Sequence, residues 1–221
     1  MKTKNSQNKL MKILAPAIAF IFLISGTSAK ELDPLNATEI ANALNLSIPH
    51  QRRSSAVNTG LPTPETLLVE RRPADKNNPG IRLADIYRYD YERDETIHTI
   101  IDVNQQKVIS SESHQFMQLP LTANEIDRAT DIIFDDAEQL VLLKNEYRRI
   151  TGNYLVNPEQ LHIKAFSFSS DTMPEQLNQA SLQCGLNRCA QLLLYTHDSI
   201  VFEVSPIVNL SVGLVTQNIG Y

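Results

Sequence analysis

The chain has 221 residues, of which 42% are hydrophobic, 20% charged and 6% aromatic, with 7 Gly, 11 Pro and 2 Cys. This balance excludes wholesale disorder and collagen-like repeats, and the length allows one large domain or two small ones. A formal net charge of −5 argues against a dedicated nucleic-acid binder, which concentrates Lys and Arg on one surface.

Residues 1–29 read as a leader. Lys2, Lys4, Lys9 and Lys12 form a basic start without an acid, Ile13–Ile24 is an apolar core broken by Pro16, and Ser25–Ala29 supplies small residues. Small side chains at Thr27 and Ala29 suit signal peptidase, which places cleavage after Ala29. The apolar run falls short of the ~20 residues needed to span hydrocarbon, so export with cleavage is expected over anchoring. The mature chain then carries 16 basic against 25 acidic side chains, a balance of −9. A soluble acidic protein in an oxidising compartment, most simply a bacterial periplasm or the exterior, is the expectation.

Asn36 or Thr38 opens a helix, with Glu39 in its first turn and Ile40, Ala43 and Leu44 on one stripe. Residues 47–64, rich in Pro, Ser and Asn, read as a loop. Thr66–Glu70, Arg82–Tyr91, Thr96–Val103 and Lys107–Ser111 read as strands. A second start signal follows, in which Thr122 and Glu125 fit a capping box, and a further helix covers Ala137–Ile150 with a stop at Gly152. Leu161–Phe168, Arg188–Thr196, Ser199–Val204 and a run near Val208–Val215 are the remaining strand candidates.

The two halves match. Leu35–Ile40 parallels Leu121–Ile126, Arg82-Leu83-Ala84-Asp85 parallels Arg188-Cys189-Ala190-Gln191, and Ile101–Asn104 parallels Val208–Ser211. The economical account is one helix-then-sheet unit built twice, giving an α+β protein with a first domain over 30–115 and a second over 116–221.

The order of these pieces resembles the N-terminal non-catalytic domains of copper amine oxidases. The residues carrying the resemblance are Pro34-Leu35 with Glu39-Ile40, Leu67-Leu68-Val69-Glu70, Arg82–Ile86, Ile101-Asp102-Val103 and Pro120-Leu121-Thr122. The resemblance implies two tandem cystatin-like (or PepSY-like) units, each a helix packed on a curved antiparallel sheet. It implies no activity. The quinone and copper chemistry of that family belongs to a large C-terminal domain for which this chain has no room. Asn153-Tyr154 is followed by Leu155 rather than by a carboxylate, and no His-x-His occurs.

Cys184 and Cys189 are the sharpest local feature. In an exported chain with no other cysteine they are expected to form one disulfide. The alternative is a small periplasmic metal-binding or thiol-redox site at the same pair, with His162 or His197 as further ligands. His50, His98, His114, His162 and His197 are otherwise scattered, and neither a zinc-hydrolase pattern nor a phosphate loop nor a nucleophile elbow is present. Asp94-Glu95 and the cluster Asp135-Asp136 with Glu138 read as a solvated turn and helix end. Tyr87, Tyr89 and Tyr91 alternate onto one strand face, with His98 on the adjacent strand. They either pack against the neighbouring domain or form an exposed aromatic patch.

The resulting expectation is a secreted, non-enzymatic interaction or accessory protein, with no cofactor, no metal and no catalytic residue. It binds a protein partner through Tyr87, Tyr89, Tyr91 and His98 or through a strand edge. A copper amine oxidase-like enzyme is one such client.

Overall fold

In the computed structural model, which describes residues 33–48, 64–73 and 80–220, local sequence signals turn directly into element ends. The proposed leader and most of the 47–64 loop lie outside the described residues. Asn36 caps helix α1 (Ala37–Leu46): its side chain accepts from the Glu39 N–H while the Glu39 carboxylate accepts from the Asn36 N–H. Thr122 and Glu125 form the same reciprocal pair at the start of α2 (Ala123–Asp135). Each pair satisfies two backbone donors that a helix start leaves orphaned. Asp136 then caps α3 (Ala137–Thr151) by accepting from the Gln139 N–H at 2.8 Å. Gly152 ends α3 at φ +73°, a left-handed conformation that a side chain would strain.

Four strands follow α1: β1 (Glu65–Arg72), β2 (Leu83–Asp90), β3 (Glu95–Asp102) and β4 (Lys107–His114). They pair antiparallel in the order β1-β2-β3-β4. Four more follow α3: β5 (Leu161–Ser167), β6 (Cys189–Thr196), β7 (Val204–Asn209) and β8 (Leu214–Gly220), a second antiparallel sheet in sequence order. The architecture is α+β, and no ladder runs from one sheet into the other among the described residues. None of the described helices is long and apolar enough to cross a membrane.

Each sheet buries one face against helices. Ala84, Ile86 and Ile101 pack with Ala43, Leu35, Leu44 and Leu46 of the α1 region. Ala190, Leu192 and Leu194 of β6 and Val208 of β7 pack with Ala129 and Ile133 of α2 and with Leu143 and Tyr147 of α3. That second core also takes in Tyr89, Tyr91 and Leu67 from the first sheet, so Glu31–Tyr221 forms one unit.

An arginine–glutamate pair, fully buried in the second half and part-buried in the first, occurs in both halves. Arg188, with 0% of its side chain exposed, donates to both oxygens of Glu125 (2.7 and 2.9 Å), to the carbonyls of Leu119 (2.7 Å) and Pro120 (3.0 Å), and to Gln118 Oε1 (3.1 Å). Those five bonds use every guanidinium N–H. Arg82 donates to both oxygens of Glu39 (2.6 and 2.9 Å) and to the carbonyls of Asp33 (2.9 Å) and Pro34 (2.8 Å). The backbone repeats too: Val103 N–H donates to the Arg82 carbonyl at 2.9 Å, and Leu210 N–H to the Arg188 carbonyl at 2.8 Å. In both places the arginine ties the residues before a helix to the start of a strand.

Two strand expectations near the C-terminus are corrected. Ser199–Val204 is not a regular strand: it touches β6 through a Tyr195–Val201 bridge, and β7 begins only at Val204. Val208–Val215 is split by the β7–β8 turn, in which Gly213 adopts φ +72°. Pro206 bears on the β6–β7 ladder alone. The β6–β7 ladder stops at Gln191–Ile207, just before Pro206, which has no N–H to give. The buried Ser205 hydroxyl instead donates to the Leu192 carbonyl at 2.8 Å.

Candidate functional site

Strand alternation gives β2 two faces. Ala84 and Ile86 point at α1, while Leu83, Asp85, Tyr87 and Tyr89 point away from it. The away-facing surface is divided along its length. At the hairpin end Tyr89 (1% exposed) and Tyr91 (3%) are buried in the second core, their rings edge-to-face at 4.8 Å. The Tyr89 hydroxyl lies 3.0 Å from Asp94 Oδ1 and 3.3 Å from the Leu186 carbonyl. The Tyr91 hydroxyl donates to Glu125 Oε1 at 2.7 Å and accepts from Arg128. Burial, then the facing carboxylates Asp94 and Glu125, push both phenols well above the usual tyrosine range. Of the four residues expected to meet a partner, these two are therefore corrected to interior positions. The second half of the chain covers them.

Tyr87 and His98 lie at the middle of the same face. Cross-strand pairing puts them side by side, and their rings stack 4.4 Å apart with 5° between planes. His98 Nε2 is 2.7 Å from Asp85 Oδ1, and Arg72 Nη1 reaches the same oxygen at 3.0 Å. Burial, then Asp85 and Glu70, raise the Tyr87 phenol, so it stays protonated at neutral pH. The chain Arg72–Asp85–His98–Tyr87 is thus a fixed polar ridge crossing β1, β2 and β3.

Beyond the ridge the face is open and apolar. A groove of about 480 Å³ is lined by Arg72, Pro73, Ile81, Leu83, Ile100, Asp102 and Ile109. Ile109, on edge strand β4, is 54% exposed and Ile81 39%. The sequence reading missed Arg72, Asp85 and this groove. Asp85 was recoverable from alternation with Tyr87, whereas Arg72 and Ile109 need the strand register.

Cys184 and Cys189 form a disulfide with Cα atoms 5.4 Å apart, and both residues are buried (2% and 0% exposed). It closes a loop in which Gly185 adopts φ +108°, where a Cβ would sit 2.8 Å from Ser169 Oγ. His162 and His197 do not join it. β5–β6 pairing sets Ser167 and Ala190 beside the disulfide but Leu161 and Thr196 at the opposite end, where the two histidines sit. The alternative site at the cysteine pair therefore lacks its further ligands, and burial shields both sulfurs from exchange. Among the described residues no group of three or more His, Cys, Asp or Glu is placed to hold a metal ion.

Asp94 departs from the solvated turn expected of it. At φ +50° it ends the β2–β3 hairpin, and its carboxylate accepts from Asn187 Nδ2 at 2.7 Å and from the Ser211 hydroxyl. It joins the first sheet to the second.

No protein-family model matches the chain, and no curated protein matches it. In fold it is similar to a copper-containing benzylamine oxidase from Hansenula polymorpha, with a TM-score of 0.55 and 10% sequence identity. The similarity covers 87% of this chain and 30% of that one, so the chain spans less than a third of the oxidase.

Proposed function

We propose that the chain is a secreted, non-enzymatic accessory protein of two tandem cystatin-like units, divided near residues 115 and 116, that holds a protein partner on the open half of its first sheet. The repeated Arg–Glu clasp supports the duplication. The fold similarity to part of a copper amine oxidase supports units of the non-catalytic kind, and makes an enzyme of that class a client to test. The basic-then-apolar leader and the buried disulfide support export.

The observation that carries the partner reading is the apolar groove beside the Tyr87–His98 stack. Ile81, Leu83, Ile100 and Ile109 offer a slot for an aliphatic or aromatic side chain of the partner, while Tyr87 adds area at low ordering cost. The test compares retention of partners from the exported fraction by the wild-type chain, by Ile109→Glu and by Tyr87→Ala. Val141→Glu, on the exposed face of α3, serves as control. Loss of about tenfold or more with both groove-side variants, and none with the control, is expected. A partner held equally by all four proteins would place binding elsewhere.

A further inference from the structure

At the end of the second sheet far from the disulfide, two imidazoles meet. His162 on β5 and His197, directly after β6, are both exposed. Pairing of Leu161 with Thr196 brings them to one corner. His197 Nδ1 lies 2.9 Å from His162 Nε2, with ring centroids 4.4 Å apart and planes at 90°. His197 Nε2 lies 3.1 Å from the Glu159 carbonyl. A carbonyl only accepts, so His197 Nε2 carries the proton, Nδ1 is the acceptor, and His162 Nε2–H donates to it.

We propose that His162 and His197 chelate one divalent late first-row transition ion, Cu²⁺ most tightly, with Ni²⁺ and Zn²⁺ weaker. Two imidazole nitrogens bound cis to one ion at about 2.0–2.1 Å lie roughly 3 Å apart, close to the separation the ring-to-ring hydrogen bond already sets; the ion takes the place of the shared proton, His162 changing to its Nδ1-protonated tautomer so that each ring turns one lone pair to the metal. The His197 Nε2–H bond to a backbone carbonyl is the outer-shell contact that fixes tautomer and ring orientation in histidine metal sites. Imidazole pairs follow the Irving–Williams order, which puts copper first. With two protein ligands and no third carboxylate, thiolate or imidazole among the described residues, water completes the coordination. The site is open and exchangeable rather than structural. Neighbouring charge is mixed: Lys164 lies over the Tyr195 ring, itself 5.2 Å from His162, and Asp198 follows His197 in the turn.

The full chain titrated with CuCl₂, NiCl₂ and ZnCl₂ is expected to take up one equivalent of Cu²⁺. Binding should weaken about tenfold or more in His162→Ala and in His197→Ala. Both side chains are exposed, so near-ultraviolet dichroism should show unchanged packing in the variants. Independently, substoichiometric Ni²⁺ added to the wild-type chain should broaden the ring resonances of His162 and His197 before those of the other histidines. Uptake insensitive to both substitutions, broadening centred on other imidazoles, or no uptake would each overturn the assignment.

Discussion

Glu125 is a buried carboxylate whose charge is met entirely inside the fold. It is fully buried, yet it accepts from Arg188 twice, from Tyr91, and from the Thr122 backbone. Burial, the largest single influence, pushes its carboxyl up, but the Arg188 bond and charge, the Thr122 N–H and the Tyr91 hydroxyl together hold it below the usual range. A carboxyl lowered in the folded state adds stability above the unfolded value, and that stability is lost as pH falls through the folded one. Glu125→Gln leaves Arg188 as a buried cation without its counter-charge. It should cost about 3–5 kcal/mol at neutral pH and flatten the acid limb of a stability–pH profile measured by urea unfolding. Glu39→Gln should cost less, because water reaches part of the Glu39 side chain. The acids and arginines are visible in the sequence as helix-start and strand-start residues. Their pairing is not, since 63 positions separate Arg188 from Glu125.

Among the elements, the caps and the disulfide loop are set by neighbours in sequence, and they are where the sequence reading was most accurate. Asn36, Thr122 and Gly152 mark helix ends because their side chains, or the lack of one, act within three residues. The disulfide ties the short segment 184–189, just ahead of β6, against Phe168, Met173, Leu177 and Ile219. Cys184→Ser with Cys189→Ser should lower stability by about 2 kcal/mol, the loop-closure value for so short a ring, read as a shift in the denaturant midpoint with no change in strand content. The β6–β7 ladder ends at Ile207 because Pro206 has no N–H to give, and the Ser205 hydroxyl donates to the Leu192 carbonyl in its place.

Over the whole molecule, the two sheets share a core and a polar joint, so they are expected to unfold together. Tyr91→Ala removes a ring buried between them and the bond to Glu125, and a loss of about 3–5 kcal/mol is expected for such a truncation. Near-ultraviolet dichroism and hydrogen exchange at β2 and β6 should still report one coincident transition, moved to lower denaturant. Two separated transitions would show the halves to be independent folding units. What the sequence determined by itself was local: helix starts and stops, strand alternation and the cysteine pair, all fixed by residues within a turn or a strand of one another. The tertiary structure decided which side of β2 stays in contact with water. Alternation places Leu83, Asp85, Tyr87, Tyr89 and Tyr91 on one face, but only the packing of the second half buries Tyr89 and Tyr91 and leaves the groove by Ile109 open. That outcome depends on contacts between residues dozens of positions apart, which no short-range pattern encodes.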